Sequence, residues 1–334
     1  MRRLTSFAAL VMVASFIRIE GVSMMPIDAQ DRVAGIIAAT RKALGGEDKI
    51  AGLKALSAEG PFRRSLGGRD MEGTLTVTLG RPDKMHRLEE LQMGGMVGGP
   101  LIERTMVLNG ATSWEDSQNR GGMGGGMRIV MGGPGPGQGQ MTPEQLNEAR
   151  TRRMRVQMYR LTAALIADAG SQWVDAGIAE SPDGKADILE IKEETGRTLR
   201  LFIDQGTKLP LMVQYQDPKP VIMMGGPRPG GPGGPGMPPP PPPPPGGAPS
   251  AGGPPLPAPA PASPEEMQKR MEEIRRNPPQ LGTYAYHLSD FKKVDGIMLP
   301  HKIETSLDGE PNEEWTIEKY KVNPSIKADF WDKK

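Results

Sequence analysis

The stretch KADILEIKEETGRTLRLFIDQGTKLPLMVQY, Lys185 to Tyr215, decides the fold. Leu189 and Ile191, then Leu199, Leu201 and Ile203, then Leu209, Leu211, Val213 and Tyr215 recur at every second position, while Glu190, Lys192, Thr198, Arg200 and Gln214 fill the gaps. A period of two with one polar phase belongs to strands with one wet face, so three antiparallel strands are expected. Thr195-Gly196 and Gln205-Gly206 are the expected turns, glycine supplying the positive φ that tight connections need. A two-residue first loop sets Ile191 opposite Arg200 and a three-residue loop sets it opposite Leu201; matching the apolar faces favours the second.

The same pattern returns near the C-terminus. Tyr284, Tyr286 and Leu288 alternate up to Val294-Asp295-Gly296-Ile297, and Leu299 and Ile303 alternate after it. A two-residue primed turn at Asp295-Gly296 sets Leu288 opposite Ile303 and Asp290 opposite His301, and the apolar faces then match without adjustment. Both regions read as a hairpin turn followed by Leu-Pro, at Leu209-Pro210 and Leu299-Pro300. IDQGTKLPLMVQY and FKKVDGIMLPHKI, with a helical N-terminus ahead of them, resemble the LolA-like outer-membrane lipoprotein-sorting proteins over roughly residues 31–115 and 185–325. The resemblance implies an α+β fold, an incomplete, half-open antiparallel β-barrel with covering helices, whose concave face holds acyl chains or other apolar ligands. Its motifs are turn motifs, which bear on fold more than on function and carry over no ligand-contacting residue.

Composition sets the organisation. Residues 118–143 and 218–262 are dominated by Gly, Pro and Met and bury too little apolar surface to offset their ordering entropy. About 230 residues remain, which suits a single β-rich domain made of 30–217 and 263–325. A formal net charge of +1 argues against a nucleic-acid partner, which calls for a basic excess. There is no cysteine, hence no disulfide framework, thiol nucleophile, Cys-ligated zinc or acylated lipobox. Residues 1–29 read as an export signal: Arg2 and Arg3 precede an apolar run from Phe7 to Ile17, and Ile27-Asp28-Ala29 offers a cleavage site before Gln30. The alternative is an uncleaved anchor; in both cases the chain is expected in the periplasm or outside the cell.

Val33, Ile36, Ile37, Ala43 and Leu44 mark an amphipathic helix from Asp31, its candidate N-cap, to Leu44, followed by a short helix from Glu47 to Leu53. The first either lies across the mouth of the sheet or packs as ordinary core. Strands are expected at Leu56–Glu59, Phe62–Leu66, Gly73–Leu79, Lys84–Leu91, Ile102–Leu108 and Thr112–Glu115, with a hairpin at Asn109-Gly110. Met127–Met131 followed by GGPGPGQGQ imitates a phosphate loop, but Gln138 replaces the third glycine and two prolines remove donors. Thr142-Pro143 opens a helix with a stripe of Met154, Met158, Leu161 and Leu165 beside Arg150, Arg152, Arg153, Arg155 and Arg160. Such a helix either touches anionic headgroups or turns its stripe to the core and its arginines to water, the simpler reading. The proline run Pro238–Pro245 is a polyproline spacer of roughly 25 Å, better read as a loop insertion between two strands than as an SH3 or WW ligand. A polar helix from Ser263 to Arg276, a last strand from Glu313 to Val322 and a loose charged tail from Asn323 complete the reading.

Catalytic signals are sparse. His287 falls on the face opposite His301, so the two cannot share a metal through strand geometry, and His301 across from Asp290 reads as a cross-strand polar pair. Glu89, Glu90, Glu193 and Glu194 are placed on turns and edges, where adjacent carboxylates point apart. Met93, Met96, Met123, Met127, Met131, Met223 and Met224 lie in Gly-rich segments; they suit Cu(I) as soft ligands or, more simply, line an apolar groove. No cofactor, metal or catalytic residue is assigned. The function expected is a non-catalytic, exported carrier or sensor. Leu189, Ile191, Leu199, Leu201, Ile203, Leu211, Val213, Tyr286, Leu288, Leu299, Trp315 and Ile317 would line one curved sheet for a lipid or lipoprotein acyl chain, with peripheral membrane contact. The alternative is an envelope interaction module in which the Pro-rich arm or the basic helix docks a protein partner.

Overall fold

The computed structural model describes residues 26–66, 69–93, 101–120, 142–166, 173–182, 184–219 and 280–333. Those within Met1–Met123, Pro143–Pro218 and Gln280–Lys334 form one compact unit; the other, Gly124–Thr142 with Lys219–Pro279, lies almost wholly outside the described residues. Outside them too lie the apolar run of the leader, the phosphate-loop imitation, the polyproline run, the 263–276 helix and the methionines at 96, 123, 127, 131, 223 and 224.

Thirteen strands among the described residues make one antiparallel sheet. β1 (Ala55–Leu66), β2 (Arg69–Gly80), β3 (Lys84–Met93), β4 (Leu101–Asn109) and β5 (Thr112–Arg120) pair in succession, as do β6 (Val174–Ser181), β7 (Gly184–Lys192), β8 (Thr198–Asp204), β9 (Pro210–Pro218), β10 (Leu281–Val294) and β11 (Ile297–Leu307). β12 (Glu310–Thr316) joins the two series by pairing with β11 on one side and β1 on the other, and β13 (Lys319–Val322) pairs with β1 further along. β5 and β6 are the two ends of the path and do not pair with each other, so the barrel is incomplete. α3 (Pro143–Ile166) touches β3, β4 and β5 from one end of the path, β8 and β9 from the other and β11 between them, so the sheet curls around this one helix. α1 (Pro26–Leu44) and α2 (Glu47–Ala51) pack together, and α1 contacts β6 and β11.

Local chemistry explains most of the elements. Asp295 and Gly296 both take positive φ, at 50° and 86°, the type I′ geometry that matches strand twist, and Leu288 pairs with Ile303 as expected. β1 runs unbroken through Pro61 because that residue, which has no N–H to give, sits where neither β13 (paired at 56–59) nor β12 (paired at 62–64) needs one. Gly60 is required at the same gap: a Cβ there would stand 2.0 Å from the Thr316 carbonyl oxygen.

The structure corrects several boundaries. α1 begins at Pro26, a residue suited to a first helical position, and not at Asp31. The first loop of the central hairpins is wider than either reading, with Ile191 opposite Leu199 and Leu189 opposite Leu201. Glu193 N–H donates to Arg197 O and Gly196 N–H to Glu193 O, both at 2.9 Å, closing a loop over 193–197. In the second turn the positive φ belongs to Lys208, at 61°, and Asp204 Oδ1 accepts from the Thr207 N–H and hydroxyl at 2.5 and 2.7 Å. β6 went unread. The single last strand is two: the ladder breaks at 317–318, where Ile317 N–H still donates to His301 O of β11 and Glu318 N–H to Glu59 O of β1, and β13 then continues along β1 alone. The tail is not loose: the Asn323 side chain accepts from the Lys54 and Ala55 N–H groups at 2.7 and 3.1 Å, and a 3-10 turn, Ala328–Trp331, buries Trp331.

Candidate functional site

Cross-strand pairing puts Leu189, Leu201, Val213 and Tyr286 in one row across β7 to β10, and Leu288, Ile303, Trp315 and Phe62 in a parallel row across β10, β11, β12 and β1. Both rows lie on the concave face. Eleven of the twelve expected lining residues are buried: Leu189, Ile191, Leu199, Leu201, Ile203, Val213, Tyr286, Leu288, Leu299, Trp315 and Ile317. Leu211 is the exception, 41% exposed. Phe202 pairs with Met212 but Ile203 with Pro210, so Leu211 is the extra residue of a bulge and is turned out of the row.

The concave face is occupied. The stripe Met154, Met158, Leu161 and Leu165 of α3 is buried, and so is every residue from Arg160 to Leu165. Arg152, Arg153 and Arg155 are half-exposed and paired with Glu148, Glu115 and Glu194, as the core-facing reading of this helix requires. At the N-terminal end Ser113 and Thr151 hydroxyls meet at 2.8 Å. A pocket remains between the C-terminal turns of α3 and strands β1, β2, β11 and β12. Leu56, Ala58, Leu75, Val77, Leu79, Leu161, Leu165, Ile303, Trp315 and Ile317 line it, and its cavity measures about 20 Å³. That is room for about one water molecule. α1 caps another part of this face: Arg32 binds Asp175 and, at 3.0 Å, Asp187 of β7, while Gln205 donates to the same Asp187 at 2.8 Å.

Beside the pocket lies a layer that is anything but apolar. The row Leu189, Leu201, Val213, Tyr286 continues through Thr305 and Glu313 to Arg64. Arg64 donates from Nε and Nη2 to Glu313 at 2.8 and 2.6 Å and from Nη1 and Nη2 to Glu89, both at 3.0 Å. Arg87 donates to Glu89 at 2.6 Å and to Glu313 at 3.3 Å, and Trp315 Nε1 donates to Glu313 at 3.0 Å. The two guanidiniums stand over aromatic rings, Arg64 4.9 Å from Phe62 and Arg87 4.8 Å from Trp315, a cation–π arrangement. Burial alone would raise the Glu89 carboxyl, but Arg87 and Arg64 reverse this and hold it at about 2. Glu313 is lowered by the same two arginines against its burial.

A second buried pair anchors α3. Arg160 donates to both oxygens of Glu193 at 2.7 and 2.8 Å and to Asp217 at 2.9 Å, with its guanidinium 3.7 Å from the Tyr215 ring. Glu89 and Glu193 are therefore interior ion-pair partners, correcting their assignment to turns and edges. His287 and His301 do face opposite ways. His301 Nδ1–H donates to the Ile317 carbonyl at 2.7 Å, whereas the carboxylate of Asp290, a residue at φ 53°, accepts from Lys292, so no His301–Asp290 pair forms. The copper reading rests on methionines outside the described residues, together with Met93, of whose side chain nothing is described.

No family model matches the sequence, and no curated protein matches it. Solved structures do. A DUF1329 family protein from Desulfovibrio piger aligns over 90% of this chain and 97% of its own, with 9% identity and a TM-score of 0.41. A putative outer membrane lipoprotein-sorting protein domain from Vibrio parahaemolyticus covers 92% and 97% at 10% identity and 0.39, and a LolA superfamily protein from Nitrosomonas europaea 90% and 97% at 9% and 0.39. The chain is similar to LolA-superfamily structures. Similarity this distant says nothing of what the chain binds.

Sequence reading passed over Arg64, Arg87 and Glu313, and it misplaced two others that are buried, Glu89 on a turn or edge and Arg160 on the watered face of α3. A signal was present: Arg87 and Glu89 share the phase of Met85 and Leu91, Arg64 that of Phe62, and Glu313 that of Trp315. Opposite charges on the inward phase of neighbouring strands mark a buried pair.

Proposed function

We propose that the protein is an exported, non-catalytic carrier or sensor that holds an apolar chain, the acyl tail of a lipid or lipoprotein, on the concave face of its sheet. The observation that carries this reading is the pocket between Leu161 and Leu165 of α3 and the Leu56, Leu75, Val77, Leu79 wall. Its lining is apolar apart from Glu59 and Thr316, and helix and sheet do not fully close there. At its present size the cavity admits no acyl chain, so loading requires the C-terminal turns of α3 to move outward. An entering chain takes over the contacts that Leu161 and Leu165 give up, each methylene removed from water contributing about 0.8 kcal/mol. The likeness of the turn motifs to lipoprotein-sorting proteins, and the leader-like residues 1–29, are in keeping with a ligand met in the cell envelope.

The test is native mass spectrometry of the full chain purified from an exporting host, followed by titration with a fluorescent fatty-acid probe. A retained lipid adduct, or saturable probe binding weakened by Leu75→Arg, is expected. Absence of any adduct together with no probe binding would sink the proposal.

A further inference from the structure

Trp315 belongs to two environments at once. Its ring lines the pocket, while Arg87 stands 4.8 Å above it and its Nε1–H is held by Glu313. Along β1 the pocket wall is Leu56, Ala58 and Gly60, and the next inward positions are Phe62 and Arg64. The order from the pocket is therefore apolar wall, aromatic pair, charges. The charges are balanced, two guanidiniums against two carboxylates, and each guanidinium is bound to both carboxylates.

We infer, building on the carrier reading, that Trp315 and the cluster behind it form a stop: they fix the length of apolar chain the pocket accepts and exclude an anionic headgroup from its inner end. A hydrocarbon pushed past Trp315 would have to part hydrogen-bonded charges with no water to replace them. A carboxylate arriving there would be a third anion facing two cations that are each already paired with both Glu89 and Glu313. The chain enters methyl end first and halts at the indole ring. From Leu56 to Gly60 the wall is about 13 Å long at a strand rise of about 3.3 Å per residue, which bounds the part of the ligand that is gripped.

The experiment is a series of straight-chain saturated alcohols from hexanol to hexadecanol, competed against a fluorescent acyl probe on the full chain, with the fatty acid of each length as a second arm. Affinity is expected to rise about fourfold per methylene and then level off, with the acid no tighter than the alcohol. In Arg64→Met/Arg87→Met/Glu89→Leu/Glu313→Leu the plateau should move to longer chains; should that variant not fold, Trp315→Leu decides in the same way. Affinity that climbs through the whole series, or a plateau unmoved in the variant, overturns the stop. An acid bound tenfold or more tighter than its alcohol overturns it too, making the cluster a headgroup receptor. If no alcohol or acid of any length binds, the carrier reading itself has failed.

Discussion

At the residue scale the decisive fact is that the concave face carries ions. Glu89 has a folded-state value of about 2, below that of an unfolded glutamate, so its contribution to stability is complete above about pH 5 and drains away as pH falls toward about 2. Urea midpoints should accordingly drop over that window. In Glu89→Gln, which leaves buried Arg87 and Arg64 short of a partner, stability at neutral pH should fall by about 3–5 kcal/mol and the acid dependence should flatten. Thr305 makes the opposite case. It is buried beside Glu313 with a hydroxyl that has no partner, so Thr305→Val, which keeps the shape and removes the stranded group, should raise the unfolding free energy by about 1 kcal/mol. A lower midpoint for Thr305→Val would show that the hydroxyl is satisfied in solution.

At the scale of elements, the facing of most strands and the register of the β10–β11 hairpin were legible, whereas β6, the split of the last strand into β12 and β13, and the register of the β7–β8 turn were not. The alternation in β7, β8, β10 and β11 named the inward residues because a half-buried strand can present them in only one phase. Leu211 escaped because a bulge adds one residue and inverts the phase after it, and no residue type announces a bulge. The 193–197 loop escaped for another reason: Glu193 turns inward to meet Arg160, 33 positions earlier, a pairing that local turn chemistry does not contain. The contrast is measurable. Leu211→Ser should change stability by no more than about 0.5 kcal/mol, as for an exposed site, whereas Leu201→Ala, fully buried in the same row, should cost about 2–5 kcal/mol. Equal losses would put Leu211 back in the core.

On the scale of the whole molecule, the tail read as loose proves to be a strap on the convex face. His86 stacks near Phe330 at 4.7 Å, Trp114 Nε1–H donates to the Trp331 carbonyl at 3.1 Å, and the Lys84 ammonium lies over the Trp331 ring at 5.8 Å. Its composition concealed this, because the charged residues dominate and the anchoring aromatic is recognised only by a partner more than 200 positions away. Ending the chain at Asn323 should cost about 3–5 kcal/mol, the scale of losing a buried tryptophan. Removing residues 220–262, which connect the directly paired β9 and β10 ends at Pro218 and Leu281, should change stability by about 1 kcal/mol at most, since closure entropy varies slowly with loop length. Similar losses for the two deletions would refute the assignment of the strap.

Glu310–Thr316 hydrogen-bonds to β11 on one flank and to β1, some 250 positions earlier, on the other. Synthesis delivers that segment some 250 positions after β1. Until it emerges, the five-strand and six-strand halves stand apart with raw edges, each able to recruit a neighbouring copy, and the closing contact is among the most distant in sequence the fold contains, which favours slow assembly. The hazardous species is thus a chain that has not yet reached Glu310, and a nascent polypeptide stalled just short of that residue should aggregate where one carrying β12 and β13 does not.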